Sequence, residues 1–207
     1  MTLKLWFHEP EFLPPLEFFY GLVHSDVWVV MDHVPYSIRT RQNRCRIRTR
    51  TGTQLCSVSV KRPCNKLIFG TMIDNWQPWK RKFLEAVERS YMGSPFYTEY
   101  YEDLKYYVEA PNVLLETLNV QTTLWIAHLL KIEPQIVYSK STCQNLSREE
   151  SVKLLCNGLG GEEFHEQFFH PYYKQRYEPF EEGLSVLDAL FSISATETRR
   201  LLTHDKI

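Results

Sequence analysis

A chain of 207 residues with 24 lysines and arginines against 25 acids has the size of one domain, 1–207, and a net charge of −1. That length buries a core without help from disulfides or metals, and the charge balance argues against a nucleic-acid binder, which shows a basic excess over its domain. Five irregularly spaced cysteines form no CxxC pair, no run reaches the roughly 18 apolar residues of a membrane span, and MTLKLWFHEPEF has no apolar leader, so a cytoplasmic chain with reduced thiols is expected.

In chain order, Leu3 to Phe7 has strand character, Leu16 to His24 shows apolar residues at helical spacing, and Val27 to Met31 is a continuous apolar run of the kind buried in parallel sheets. Strand, helix and strand within about thirty residues predict a βαβ unit. Ligands of open α/β sheets gather beyond the carboxyl ends of such strands. His8 and Asp32 stand at two such ends and are expected to face one crevice.

Arg44 to Val60 predicts a β-hairpin turning at Thr51-Gly52. Arg39, Arg41, Arg44, Arg46, Arg48 and Arg50 crowd its entry, and no acid occurs between Asp32 and Asp74. Alternation along the strand puts Arg44, Arg46, Arg48 and Arg50 on one face and Cys45, Ile47 and Thr49 on the other. Leu67 to Ile73 is a further strand candidate.

Helices are expected over Trp79 to Tyr91, from Ser94-Pro95 onward, and from Pro111 to Leu130. Pro134 to Tyr138 returns to strand, and Ser147 with Glu150 forms a capping box on a helix reaching Cys156. Gly158 to Gly161 predicts a glycine-rich turn; with no Lys-Ser or Lys-Thr pair after it, a Walker loop is excluded. A last helix includes Leu184 to Phe191, with Ser185 and Asp188 as its capping box. The fold class is α/β: an N-terminal βαβ unit, a mixed sheet with a β-hairpin, and flanking helices.

These stretches carry a resemblance. HEPEFLPPLEFF, SDVWVVMDHVPYS, RQNRCRIRT, IDNWQPWKRKFLEAVERSY, LNVQTTLWIAHLLKIEPQIVYS and YKQRYEPFEEGLSVLDALF follow one another as in the WbqC-like family of bacterial proteins. That family accompanies surface-polysaccharide assembly, and the resemblance implies a group transferase, with acyl or aminoacyl transfer to an amino sugar as its reaction. The chain departs from the family pattern at Glu9, where glutamine is usual, at Pro15, at His33 and Pro35, and at Phe83, where the family has histidine. The region around Gly158 to Phe164 is also shorter. These departures imply a specialised member, of polysaccharide or secondary-metabolite biosynthesis.

The candidate chemistry follows. His8, at a strand end before a proline-stiffened turn, fits a general base; a histidine merely packing on the turn is the alternative. Asp32 would orient His8 or bind a hydroxyl or amine, with His33 beside it. Guanidinium forks suit phosphate and carboxylate, so the arginine strand reads as a wall for a small anionic substrate, as a nucleic-acid ribbon, or as a solvated edge. Aromatic residues do not interleave with the arginines, as a single-strand groove prefers.

The resemblance centres on Gln42, Asn43, Arg44 and Arg46, which makes these substrate-binding candidates and leaves Arg48 and Arg50 as solvated extras. His170 and Gln175, in a polar-aromatic segment with Tyr172 and Tyr177, complete the substrate set. No cysteine falls on a family motif, Cys45 coming nearest, and neither a metal nor a cofactor is expected. The expected partners are a small-molecule substrate and an acyl or peptidyl carrier protein, with no membrane and no nucleic acid. Three rivals stay open: a non-catalytic binding module, a nucleic-acid binder, and a nucleotide-using enzyme.

Overall fold

A computed structural model describes residues 2–61, 67–165 and 167–203. The α/β class holds, and the chain opens on the expected βαβ unit: β1 (Leu3–His8), α1 (Leu16–His24) and β2 (Val27–Val30). β1 pairs parallel with β2, Leu5 opposite Val27 and His8 opposite Val30. All four residues of β2 are buried, as a strand covered on both faces requires. Gly21 lets α1 close onto β1, since a Cβ there would lie 2.3 Å from the Trp6 ring.

The expected hairpin is β3 (Arg44–Thr49) with β4 (Gly52–Ser57), joined by a two-residue loop. It forms its own antiparallel sheet, apart from the four-stranded parallel one. Leu67 to Ile73 is not a strand. Ile68–Gly70 makes a 3-10 turn, and Thr71 closes back with its hydroxyl on Leu67 O at 2.9 Å. That local bond competes with a ladder, and single bridges to Pro35, Val60 and Leu114 are what remains of pairing.

The helical middle holds α2 (Trp79–Tyr91), α3 (Tyr97–Glu109) and α4 (Leu115–Leu129). α4 is buried on most of its surface and brings polar Glu116, Asn119, Thr122 and Thr123 into the interior. β5 (Gln135–Tyr138) then pairs parallel with β2. α5 (Arg148–Leu159) carries the expected capping box, Ser147 Oγ accepting from Glu150 N and Glu150 Oε2 from Ser147 N.

The glycine-rich segment yields a strand that composition does not announce, β6 (Gly161–Glu163), parallel to β1. A Cβ on Gly161 would lie 2.7 Å from Leu3 O, so only glycine permits this approach. The sheet order is β5-β2-β1-β6. α6 (Leu187–Thr203) starts later and runs further than expected, and breaks at Ser194, whose φ is 78°. Its capping box does not form. Ser185 Oγ accepts from Leu187 N, but the Asp188 carboxylate turns inward to the Tyr173 hydroxyl at 2.9 Å.

Among the described residues no helix is long and apolar enough to cross a membrane, and no group of three or more His, Cys, Asp and Glu gathers as metal ligands.

Candidate functional site

Three segments meet beside the hairpin: 10–15 after β1, 39–46 entering β3, and 183–186 before α6. Backbone bonds lace them: Phe12 N to Arg41 O at 2.9 Å, Ser185 N to Arg46 O at 2.7 Å, and Val186 N to Pro14 O at 2.9 Å. From α4, Asn119 Nδ2 donates to Pro10 O and Gln42 O, pinning two of the segments to the core. Between them lies a cleft of about 200 Å³, walled by Arg39, Arg41, Arg44 and Arg46 together with Leu13, Pro15 and Gly183.

Leu13, Arg39 and Gly183 all have left-handed backbones, with φ of 46°, 78° and 67°. For Leu13 and Arg39 that conformation is costly, and such strain collects at functional sites. The guanidinium groups are only partly neutralised. Arg41 pairs with Glu17 at 3.3 Å, and Arg46 stands 4.0 Å from Glu181. Arg44 Nε is buried without a hydrogen-bond partner among the described residues.

A second cleft of about 300 Å³ shares Pro15 and Gly183 with the first and is lined by Glu17, Phe168, His170 and Glu182. Glu17 links the surroundings, because its charge acts on His8, Glu11 and His170 as well as pairing with Arg41.

His8 ends β1, half-buried, stacked on Trp6 with ring centres 5.0 Å apart and edge-on to Phe18 at 4.9 Å. Its Nδ1 lies 2.9 Å from Glu9 O. A carbonyl only accepts, so Nδ1 carries the proton and Nε2 presents its lone pair. Burial lowers the His8 pKa, keeping the ring neutral near pH 7, and the Glu9 carbonyl and carboxylate oppose that only in part. His170 is held in the same tautomer by Pro171 O at 3.0 Å, its pKa also lowered by burial.

Glu11 is a residue that reading the sequence overlooked. It is 8 % exposed, its Oε2 has no partner among the described residues, and burial raises its pKa to about 7, with Arg41 opposing and Glu9 and Glu17 adding to the rise. An acid between Pro10 and the apolar run Phe12 to Leu16 is the signal that marks it.

Asp32 does not share a crevice with His8. It is fully buried, with Oδ1 accepting from Ser139 Oγ at 3.0 Å and Lys140 N at 2.7 Å. Lys140 Nζ reaches Asp32 Oδ2 at 3.3 Å and Glu116 Oε1 at 2.7 Å. Burial works against the Lys140 charge, but the Glu116 bond and the two carboxylates outweigh it and raise its pKa. His33 is buried too, with Nδ1 2.6 Å from Ser139 Oγ and Nε2 2.9 Å from Ser151 Oγ. Asp32 and His33 thus bolt the end of β2 to the segment after β5 and to α5.

Gln42 and Asn43 are also enclosed. Gln42 Nε2 donates to Glu9 Oε2 at 2.6 Å and its Oε1 accepts from Ser37 N, while Asn43 Nδ2 donates to Val58 O. Gln175 clamps Glu181 through two bonds, Nε2 to Glu181 O and Glu181 N to Oε1. Of the nine candidates, Arg44 and Arg46 line the first cleft and His170 the second, half-buried His8 lines neither, and the other five are buried.

Arg48 is not solvated. It is 1 % exposed and donates to Thr49 O, Gly52 O and Pro179 O, while its backbone N–H donates to the Tyr91 hydroxyl. α2 and the 171–183 segment cover the turn end of the hairpin, which strand alternation alone does not reveal. Arg50 is exposed and outside the cleft.

The model of the WbqC-like protein family matches residues 9–168. The chain belongs to that family. The matched span contains Arg39 to Arg46, Asp32 and Glu11; it begins just after His8 and ends before His170 and Gln175. The uncharacterized protein Rv1507c of Mycobacterium tuberculosis is 24% identical over 214 residues, covering 90% of this chain and 92% of the relative. No solved structure matches.

Proposed function

We propose that this WbqC-like protein is a group transferase that seats an anionic small substrate in the arginine cleft and moves an acyl or aminoacyl group onto an amine. One observation carries the reading: four guanidinium groups converge on a strained, tightly laced cleft, one of them with a buried unpartnered donor. A buried polar atom without a partner among the described residues needs one from outside, a water, an ion or a ligand, and the cleft is where a ligand would supply it. Arg44 and Arg46 bind the phosphate or carboxylate of the substrate. The carboxylates of Glu17 and Glu182 beside His170 suit the amine end.

His8 Nε2 is the base. As the amine nitrogen attacks the carbonyl of an activated donor such as a thioester, the C–N bond forms and the amine proton passes to Nε2. The C–S bond then breaks, and the departing thiolate takes that proton. A base of lowered pKa stays competent below the ordinary histidine range, so activity is retained at neutral pH and falls as acid protonates the ring. The exposed Arg39, Arg41 and Arg50 fit an acidic acyl or peptidyl carrier protein as donor. The biosynthetic setting is polysaccharide or secondary metabolite, which the WbqC-like assignment supports.

The test is product formation, read by mass spectrometry, from acyl pantetheine thioesters and amino sugars. Wild type is expected to form amide, and His8→Gln to lose the activity by at least about 100-fold, the scale of general base catalysis. Glutamine can keep the bond to Glu9 O, so the variant's melting temperature should stay within a few degrees of wild type. Unchanged turnover in His8→Gln removes His8 from the chemistry.

A further inference from the structure

The register of the hairpin sets Cys45 of β3 directly opposite Cys56 of β4. Opposed residues of an antiparallel pair have Cα atoms about 4.5–5.5 Å apart and side chains on one face, inside the roughly 4.4–6.8 Å that a disulfide spans. Both thiols are free, both are 5 % exposed, and a hydrogen bond joins them. Cys143 lies in the loop before α5 and Cys156 in α5, and Cys64 is outside the described residues.

Cys45 belongs to the wall of the arginine cleft, between Arg44 and Arg46, and Cys56 to a neighbouring cleft of about 270 Å³ with Trp79, Lys82 and Phe83. Leu55, next to Cys56 in β4, lines both clefts, so the pair lies between them with 5 % of each residue exposed.

We propose that Cys45 and Cys56 are a redox modification site, forming a reversible cross-strand disulfide when a hydroperoxide reaches the hairpin. The two thiols have different roles. The Cys45 hydrogen bond, with the charge of Arg89, lowers the Cys56 pKa against the effect of burial, whereas burial pushes the Cys45 thiol up. Cys56, the more acidic thiol of the pair, is the one assigned the attack, through its thiolate form. Its sulfur bonds to one peroxide oxygen as the O–O bond breaks, and the departing oxygen takes a proton and leaves as an alcohol, or as water from hydrogen peroxide. The Cys45 sulfur then attacks that of Cys56; the S–S bond forms, the S–O bond breaks, and hydroxide leaves as water with the Cys45 proton. The two thiols lose two electrons and the hydroperoxide gains them.

Reduced full-length protein, freed of reductant and treated with hydrogen peroxide, tests this by counting alkylatable thiols after denaturation and by peptide mapping. Untreated chain should show all five cysteines free. Peroxide should remove two, cross-link the Cys45 peptide to the Cys56 peptide, and lose both effects on adding dithiothreitol. In Cys45→Ser the reaction should stop at a Cys56 sulfenic acid, trapped by a cyclic dione, and Cys56→Ser should give no trapping at position 45. Retention of all five thiols, a cross-link to any other cysteine, or direct overoxidation without a cross-link overturns the proposal. The wild-type map decides the matter even where a variant folds poorly.

Discussion

Arg48→Ala is expected to destabilise the fold by about 3–5 kcal/mol, the scale of leaving several buried hydrogen-bonding groups without a charged partner. The side chain is fully enclosed, and its loss leaves the carbonyls of Thr49, Gly52 and Pro179 without their donor. It also strips Asp188 of a nearby positive charge that lowers its pKa, while burial holds that pKa up at about 6. Arg48→Met keeps most of the packing and separates the two contributions; it should remain well below wild type, because the bonds and the charge are still absent. For a chain of this size the loss amounts to a fall of at least about 6 °C in melting temperature. Shifts within about 0.5 kcal/mol, the range of surface substitutions, would return Arg48 to the solvated role expected from the sequence.

Glu11→Gln should stabilise the protein at high pH and leave it unchanged at low pH. The folded pKa of Glu11 is raised from 4.5 to about 7, so the folded state holds its proton more tightly than the unfolded chain does. That contribution is fully present below the unfolded value of 4.5, declines as pH rises, and is lost above about 7. Glutamine has the shape of the protonated acid and never ionises. The variant should therefore gain about 3 kcal/mol over wild type at pH 8 and nothing at pH 4. Asp188 titrates in the same direction in both proteins, so the difference between them isolates Glu11. Urea unfolding at the two pH values measures it, and equal stability at pH 8 would show that Glu11 is solvated as a free carboxylate. A cost of this size at a carboxyl on which the charge of Arg41 acts is what a site retained for function carries.

How much of this was legible depends on the range over which each feature is decided. β1, α1 and β2 follow from local patterning, α2 runs from Trp79 to Tyr91 as its periodicity predicts, and α5 starts where Ser147 and Glu150 cap it. β6 has no such signal. Gly-Glu-Glu carries no apolar alternation, and it is a strand because Leu3 to Leu5 lie beside it. Leu67 to Ile73 shows the reverse error, since apolar composition without an adjacent partner strand yields a turn.

The places of Arg44 and Arg46 on the cleft were readable, because alternation fixes a face and the family resemblance singles the two out. Arg48 was not, because its burial depends on Tyr91 and Pro179, far away in the chain. Asp32 and His33 announced a polar strand end, but their partners Ser139, Lys140 and Ser151 are more than a hundred residues on and make them a structural bolt.

The most direct test of the anion-binding cleft is calorimetric titration of pyrophosphate into wild type, Arg44→Ala, Arg46→Ala and Arg50→Ala at two salt concentrations. Each of the first two variants removes a charge-assisted bond worth about 1.5–3 kcal/mol, so affinity should fall roughly ten- to a hundredfold. Arg50→Ala, exposed and outside the cleft, should bind as wild type does. Equal, modest losses at all three positions, or full binding by Arg44→Ala and Arg46→Ala, would contradict a cleft built for a small anion.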